Sequence, residues 1–291
     1  MAKNEHKKAA PGVLFVVATP IGNPDDITAR ALRVLEGADL VACEDTRRTG
    51  QLLTAHGLHK PLISYFEHNE ERRVPDLVAR LKEGASIALV SDAGTPAISD
   101  PGYRLVCAAL DAGIPVRAVP GASAAIAALS IAGIPTDRFV FEGFLPSRGA
   151  SLRARLEALA GESRTMIFFE AGRRLGETLA AMASILGSDR ETAIVREITK
   201  TYEETIRGSL EDLARRFKEQ EALGEVTVVV AGAPEAASKS NAAITVEMLM
   251  DEGVSLKQAS AIVAKLTGRS RREVYQEALR TRGENREPPE E

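Results

Sequence analysis

The chain has no tryptophan, only two cysteines and only four histidines among its 291 residues, and each scarcity removes a class of function. Cys43 and Cys107 sit in separate apolar patterns with no C-x-x-C spacing. They read as reduced core thiols of a cytoplasmic protein, and a disulfide framework is excluded. His6, His56, His59 and His68 are scattered without ligand spacing, so no metal site is expected. No stretch approaches the ~18 consecutive apolar residues of a membrane span. The apolar run near the N-terminus, Val13–Ala18, is too short for the hydrophobic region of a signal peptide, and no membrane association is expected. No G-x-G-x-x-G follows the first apolar run, and no G-x-x-x-x-G-K-[ST] occurs. The fingerprints of nicotinamide or flavin binding and of the common nucleotide triphosphatases are therefore missing. Nor is there a large excess of one charge. The net value is −4, so any contact with nucleic acid must come from a local patch.

What is present is an alternation. With 44% hydrophobic residues the chain can bury substantial cores, and its length fits two domains with a small extra piece. Residues 1–11 read as a disordered tail. Short apolar runs at Val13–Ala18, Leu40–Cys43, Leu62–Tyr65, Ile87–Val90 and Val116–Val119 alternate with helical patterns, which predicts a parallel α/β domain over residues 12–133. Each run leads into a polar or glycine-bearing segment: T-P-I-G-N, E-D-T-R-R, F-E-H-N-E, S-D-A-G-T-P and P-G-A-S-A. Open α/β sheets bind ligands at the carboxyl ends of their strands, so these segments predict a loaded rim. The fullest is Ser91–Gly102, S-D-A-G-T-P-A-I-S-D-P-G, well beyond the ~2–6 residues of an ordinary connector. Asp100 is placed to N-cap a helix over 101–112, with Pro101 at its first position and Gly113 past its end. Asn23 and Pro24 predict the start of the first helix by the same chemistry, and a helix is expected over 76–83.

From Gly133 the texture changes. Strand-like runs at Phe139–Phe141, Thr165–Phe169, Thr192–Val195 and Val226–Ala231 are interleaved with helices near 151–160, 173–186 and 209–220. Ser209 and Asp212 form a capping box for the last of these. A second α/β domain on a mixed sheet is expected over residues 134–233. A linker over 233–241 then leads to a helical extension, residues 242–286. There Ser255 with Gln258 and Ser270 with Glu273 are capping boxes on either side of Gly268, a pattern resembling a helix-turn-helix. Val254–Arg282 carries seven Lys or Arg and two acids. Arg269, Arg271 and Arg272 cluster at the turn, either as a phosphate-contacting patch at a helix start or as the solvated face of a capping subdomain.

In order along the chain, A-T-P-I-G-N (18–23), E-D-T-R-R (44–48), H-N-E (68–70), S-D-A-G-T-P-A-I-S-D-P-G (91–102), P-G-A-S-A (120–124), F-E-G-F-L-P (141–146) and R-E-I-T-K-T-Y-E-E (196–204) resemble the motifs of the bacterial ribosomal RNA small subunit methyltransferase I family. That family lies within the tetrapyrrole-methylase-like class of S-adenosylmethionine enzymes. The resemblance covers residues 12–232, with a helical extension beyond. It implies two α/β domains with S-adenosyl-L-methionine in the cleft between them. It also implies 2′-O-methylation of a cytidine ribose in the decoding region of 16S ribosomal RNA, on the RNA or the small ribosomal subunit, by a homodimer. Carried onto this chain, the cofactor positions are Pro20, Asp92, Gly94, Ser123 and Ala124, with Glu170, Ile198 and Thr227 from the second domain. The alternative is a small-molecule methyltransferase of the same fold acting on a tetrapyrrole. Relatives of that type carry a glycine-rich first loop where this chain has T-P-I-G-N, and this departure, with the basic tail, favours RNA.

A ribose 2′-hydroxyl is a poor nucleophile, and a general base adds about 10²–10⁴-fold to such a reaction. The candidate catalytic residues are Lys200, His68 and Asp45. Lys200 serves as a base if its surroundings depress its pKa; otherwise it is salt-bridged to Glu197 or Glu203. His68 is either a base or the partner of a backbone group. Glu44, Asp45 and Arg47 form a compact charged cluster in which Arg47 suits phosphate or base contact, or plain ion pairing. Glu44, Arg47, Asn69, Arg148, Arg269, Arg271 and Arg272 make up the candidate RNA-contacting set. The residues alone do not choose the base.

Overall fold

The computed structural model describes residues 12–220, 222, 224–234 and 245–284. The expected tail over 1–11 and most of the expected linker lie outside the described residues.

Five strands, β1 (Leu14–Val17), β2 (Leu40–Cys43), β3 (Leu62–Ser64), β4 (Ile87–Val90) and β5 (Val116–Val119), form a parallel sheet in the order β3-β2-β4-β1-β5. β2 and β4 are buried along their whole length, as continuous apolar runs require when helices cover both faces. Successive side chains point to opposite faces. Val41, Ala88 and Val90 meet Ala31 and Leu35 of α1 (Ala29–Gly37) and Leu53 of α2 (Thr46–Ala55). Ala42, Ile87 and Leu89 meet Leu77 and Leu81 of α3 (Glu70–Lys82) and Leu105 and Ala109 of α4 (Tyr103–Asp111). β1 connects past β4 to β2, whereas β4 connects past β1 to β5. Neighbouring strands thus send their chains in opposite directions, which opens a crevice between their carboxyl ends.

Two helix starts differ from expectation. Asn23 caps only a 3₁₀ turn, Pro24–Asp26, while the Thr28 hydroxyl accepts the Ala31 N–H and starts α1. α4 starts at Tyr103 with Gly102 as its N-cap at φ +142° and no side-chain cap, so Asp100 is not the capping residue. α3 begins at Glu70, six residues before the expected start, and holds Pro75 in its second turn.

The second sheet contains β6 (Phe139–Phe144), β7 (Thr165–Ala171), β8 (Glu191–Arg196), β9 (Glu204–Ser209) and β10 (Glu225–Val230), in the order β6-β7-β10-β8-β9. β6 and β7 are parallel and the remaining pairs antiparallel, the mixed sheet expected. β9 was not legible: it is an edge strand in which only Ile206 is buried, so its sequence carries little apolar signal. α5 (Ala124–Ala132) follows β5 in the chain yet packs on this second sheet, with Ala128 and Leu129 against Ile167, Ala193 and Val229. The two sheets accordingly belong to one compact unit, residues 12–157 with 165–231. α6 (Gly149–Leu159), α7 (Leu175–Leu186) and α8 (Leu210–Glu219) complete the helices of this part of the chain, and Ser209 caps α8 as expected, accepting from Asp212 N–H.

The other compact unit comprises, among the described residues, 158–164, 232–234 and 245–284. Its helices α9 (Val246–Asp251), α10 (Leu256–Thr267) and α11 (Arg271–Glu284) share a core of Val246, Ala259, Val263, Ala264, Val274 and Ala278. Gly268, at φ +68°, makes the left-handed turn between α10 and α11. Ser270 accepts the Glu273 N–H at 3.3 Å, whereas the Ser255 hydroxyl meets the Gln258 side chain instead of a backbone N–H. Among the described residues, no helix is long and apolar enough to cross a membrane.

Candidate functional site

All five parallel strands end on one edge, so their following segments converge there. Facing that edge, with residues of the second sheet on its other wall, is a cavity of about 670 Å³. The segment after β1 contributes Pro20, Ile21 and Gly22, and the one after β2 contributes Glu44 and Arg48. The long loop after β4 lines it with Ser91–Thr95 and Ile98–Asp100, and α5 starts on it with Ser123 and Ala124. From the second sheet come Phe144, Phe169, Val195, Glu225, Val226 and Thr227, with Glu197, Ile198 and Lys200 from the loop after β8.

The backbone here is tightly specified. Thr19 and Gly94 exchange two backbone hydrogen bonds, at 2.9 and 3.1 Å, tying the segments after β1 and β4 together across the crevice. Gly94 sits at φ +81°, and a Cβ there would stand 3.4 Å from Ile21. At Gly22 a Cβ would come within 2.8 Å of Thr199 and Lys200, so the first loop and the loop after β8 press directly on each other. Four non-glycine residues adopt positive φ among the described residues: Ala97, Ser99, Glu197 and Thr199. All lie on the two loops that line the cavity. Such conformations cost about 1–3 kcal/mol each and persist only where their surroundings hold them.

Five carboxylates line the cavity, from Glu44, Asp92, Asp100, Glu197 and Glu225, against two cations, Arg48 and Lys200. Both cations are committed to ion pairs. Arg48 stands 3.2 Å from Asp92, and Lys200 3.0 Å from Glu197. Asp92 also accepts the Asp45 N–H at 3.0 Å. Burial is the largest influence on Asp100 and pushes its carboxyl up to about 6; a Ser91 hydrogen bond opposes the rise, and Glu44, Glu225 and Asp92 add to it. Glu44 is raised as well, by burial first and by Asp92 second. The second-sheet side also carries an apolar patch, with the Phe144 and Phe169 rings 5.6 Å apart and Val195, Ile198 and Val226 lining the same cavity. A cavity that joins a surplus of carboxylates to an apolar, aromatic patch suits a ligand that joins a positive charge to an aromatic ring.

Seven of the eight expected cofactor positions line this one cavity: Pro20, Asp92, Gly94, Ser123, Ala124, Ile198 and Thr227. Glu170 does not. Its carboxylate is buried, accepts the Thr178 hydroxyl at 2.7 Å and pairs with Arg174 at 3.3 Å, a packing role behind the wall. Of the catalytic candidates only Lys200 reaches the cavity, and the ion pair with Glu197 is the one that forms. Asp45 is a correction. Its carboxylate caps α2 through the Arg47 N–H at 2.8 Å and pairs with the Arg47 guanidinium at 2.7 Å, which holds it well below the usual carboxylate range. His68 is a second: it is exposed, edge-on to Phe66 and off the cavity wall.

Among the RNA candidates, Glu44 lines the cavity, whereas Arg47 projects outward with 86% of its side chain exposed. Asn69 is spent on the turn, accepting the Phe66 N–H at 2.9 Å and donating to the Ser64 carbonyl. Arg148 is exposed just before α6, and Arg271 and Arg272 are exposed at the start of α11. Arg269 is paired with Glu277. Sequence reasoning missed Arg48, Asp100, Glu225, Phe144 and Phe169 as lining residues. Arg48 differs from Arg47 by one helical step of about 100°, which no composition reveals.

Comparison with known proteins adds to this geometry. Residues 13–214 match the family of Tetrapyrrole (Corrin/Porphyrin) Methylases, and residues 237–282 match the RsmI C-terminal HTH domain. The chain is 48% identical over 281 residues to a protein of Pseudomonas aeruginosa named ribosomal RNA small subunit methyltransferase I, covering 94% of this chain and 99% of that one. A protein of the same name from Escherichia coli O157:H7 is 44% identical over 288 residues, covering 97% and 100%. Among solved structures, a conserved hypothetical protein of Aeropyrum pernix superposes with a TM-score of 0.62 at 19% identity, covering 96% of this chain and 100% of that one. A uroporphyrin-III C-methyl transferase of Thermus thermophilus, solved with S-adenyl homocysteine, superposes with a TM-score of 0.55 at 19% identity, covering 76% and 97%. At that identity these two show the fold.

Proposed function

Because the chain belongs to the ribosomal RNA small subunit methyltransferase I family, within the tetrapyrrole methylases, we propose that it transfers a methyl group from S-adenosylmethionine to the 2′-hydroxyl of a cytidine ribose in the decoding region of 16S ribosomal RNA. The observation that carries the reading is the one cavity in which seven expected cofactor positions meet among five carboxylates. Its residues fit the cofactor. Phe144, Phe169 and Ile198 would face the adenine, and the surplus of carboxylates favours the ammonium and the sulfonium. The start of α5, whose first N–H groups have no side-chain cap, would favour the methionine carboxylate. When bound, the cofactor supplies a methyl group already activated by its positively charged sulfur.

RNA is the substrate class because the relatives that align over nearly the full chain at 44–48% identity are named for ribosomal RNA, and the chain carries exposed arginines at 47, 148, 271 and 272. Each phosphate that such a residue contacts on a single strand contributes roughly −0.7 to the slope of log affinity against log salt. A ribosomal substrate places the enzyme in the cytoplasm, and we read it as a homodimer on the family resemblance, a state that light scattering checks directly. The function is tested by supplying labelled S-adenosylmethionine with small ribosomal subunits, free 16S ribosomal RNA and a porphyrinogen. Label on a cytidine 2′-oxygen is the expected result. Label on the porphyrinogen and none on RNA would overturn the reading in favour of a tetrapyrrole methylase.

A further inference from the structure

We propose that Asp100 is the catalytic proton acceptor for the ribose hydroxyl, on the wall where the cofactor cavity meets a second cavity that receives the nucleotide. The proposal rests on the RNA 2′-O-methyltransferase reading above and deepens it.

The second cavity, of about 520 Å³, adjoins the first and shares three lining residues with it: Glu44, Ser99 and Asp100. Any atom passed from a ligand in one cavity to a ligand in the other passes that wall. The exposed ring of Tyr103 lines the second cavity and offers a face on which a base can stack, the usual way an unpaired base is held. The loop brings Asp100 to the wall instead of to the helix cap. Ala97 and Ser99 turn left-handed, the Ala97 N–H closes on the Pro101 carbonyl at 3.2 Å, and buried Glu70 accepts the Gly102 N–H at 2.9 Å. With Gly102 at the helix cap, the Asp100 carboxylate stands on the wall, hydrogen-bonded to Ser91.

Of the two acids on the shared wall, Glu44 is held by the Asp92 N–H, whereas Asp100 is met by the Ser91 hydroxyl alone. Glu44, Asp92 and Glu225 face it and repel its charge. The cations of the first cavity are held elsewhere, Arg48 by Asp92 and Lys200 by Glu197. On the side of the second cavity Glu67 adds another acid, and Arg104 is held by Glu70 and Glu71. No ion pair among the described residues reaches Asp100. Its carboxyl, pushed up to about 6 by burial, is ionised at neutral pH and is a stronger base than an ordinary aspartate.

The step balances. The O–H bond of the ribose breaks, its proton goes to a carboxylate oxygen of Asp100, and the oxygen forms the new C–O bond with the methyl carbon. The C–S bond breaks with its electron pair returning to sulfur. The negative carboxylate and the positive sulfonium are thereby both neutralised, and the proton then leaves Asp100 for water.

The test is Asp100→Asn in the full chain. Wild-type kcat/KM is expected to rise with pH along a limb governed by the free protein's group near 6, and a ¹³C-labelled aspartate carboxyl should titrate there in the free protein. The Asn variant should lose that signal and that limb and lower kcat by roughly 10²–10⁴-fold, with a change in cofactor affinity by calorimetry far smaller than the fall in kcat. Asp100→Glu should restore part of kcat and a displaced limb, and it decides the matter should the Asn variant not fold. Wild-type kcat and an intact limb in the folded Asn variant, or a limb that stays put in the Glu variant while its carboxyl titration moves, would overturn the proposal. A wild-type chain that binds the cofactor but methylates no RNA instead refutes the RNA reading on which this one stands.

Discussion

The segments after β3 and after β4 look alike as sequence, F-E-H-N-E and S-D-A-G-T-P-A-I-S-D-P-G, and they do different work. In the first, Asn69 closes the turn and Glu70 is buried on the Gly102 N–H and beside Arg104. Every one of these polar groups has a partner, and their product is a rigid turn. In the second, two residues are left-handed without being glycine, and an acid without a cation faces the cavity. The comparison teaches how to sort acids in a loaded rim. A carboxylate with a cation or N–H partner is building the loop, and one held at a cavity by a hydroxyl alone, as Asp100 is by Ser91, is available to a ligand. The two segments are also coupled, because Glu70 of the first anchors Gly102 of the second.

Four experiments press on this contrast, beginning with the largest effect. Glu70→Ala leaves the buried Gly102 N–H without its acceptor, and the expected loss of stability is about 1–3 kcal/mol, read by urea unfolding. A variant as stable as wild type would show that the anchor is idle. Gly94→Val forces a β-branched residue into φ +81° against Ile21. It should weaken cofactor binding about tenfold, or 1.4 kcal/mol, with the chain still folded; unchanged affinity by calorimetry would move the cofactor away from this loop.

Asp100 gives a smaller effect on stability, of opposite sign. Its folded pKa, about 6, lies above the ordinary 3.8, so between those values the folded state binds more protons than the unfolded one and stability falls as pH rises. Asp100→Asn removes that penalty. It should raise the melting temperature at neutral pH by roughly 2–4 °C, the shift about 1 kcal/mol produces in a chain of this size. No rise is expected below about pH 3, where the carboxyl is protonated in both states. A rise of equal size at both pH values would assign the gain to packing and remove the contrast with Glu70. The smallest effect concerns the helical extension. Reversing Arg271 and Arg272 to Glu should flatten the salt dependence of RNA affinity by about 0.7 per lost phosphate contact, with the melting temperature unchanged because both side chains are exposed. An unaltered slope would make the extension a structural piece.

Much of this was legible in one dimension. Apolar runs of four residues alternating with helical patterns specify a parallel sheet with helices on both faces, because such strands have no polar side to show to water. Once the strands are parallel, the segments after them must share one edge, and the polar rim follows by geometry. The seven cofactor positions that meet in the cavity come from three of those segments, after β1, β4 and β5, and from the second sheet with its loop after β8. Ser209, Ser270 and Gly268 marked helix ends correctly, because capping is a contact between residues three or four apart.

What the tertiary structure alone decided involves partners distant in sequence. Whether Asp45, Glu70 or Asp100 is a cap, an anchor or a free acid depends on Arg47 beside the first, on Gly102 thirty-two residues from the second, and on Glu44 and Glu225 around the third. The assignment of α5 to the second sheet, the turning of Arg48 instead of Arg47 toward the cavity, and the left-handed backbone at Ala97 and Ser99 are likewise results of packing. Local chemistry reaches a few residues along the chain, while burial and charge act through space, so the elements could be read from the sequence and the roles of the acids could not.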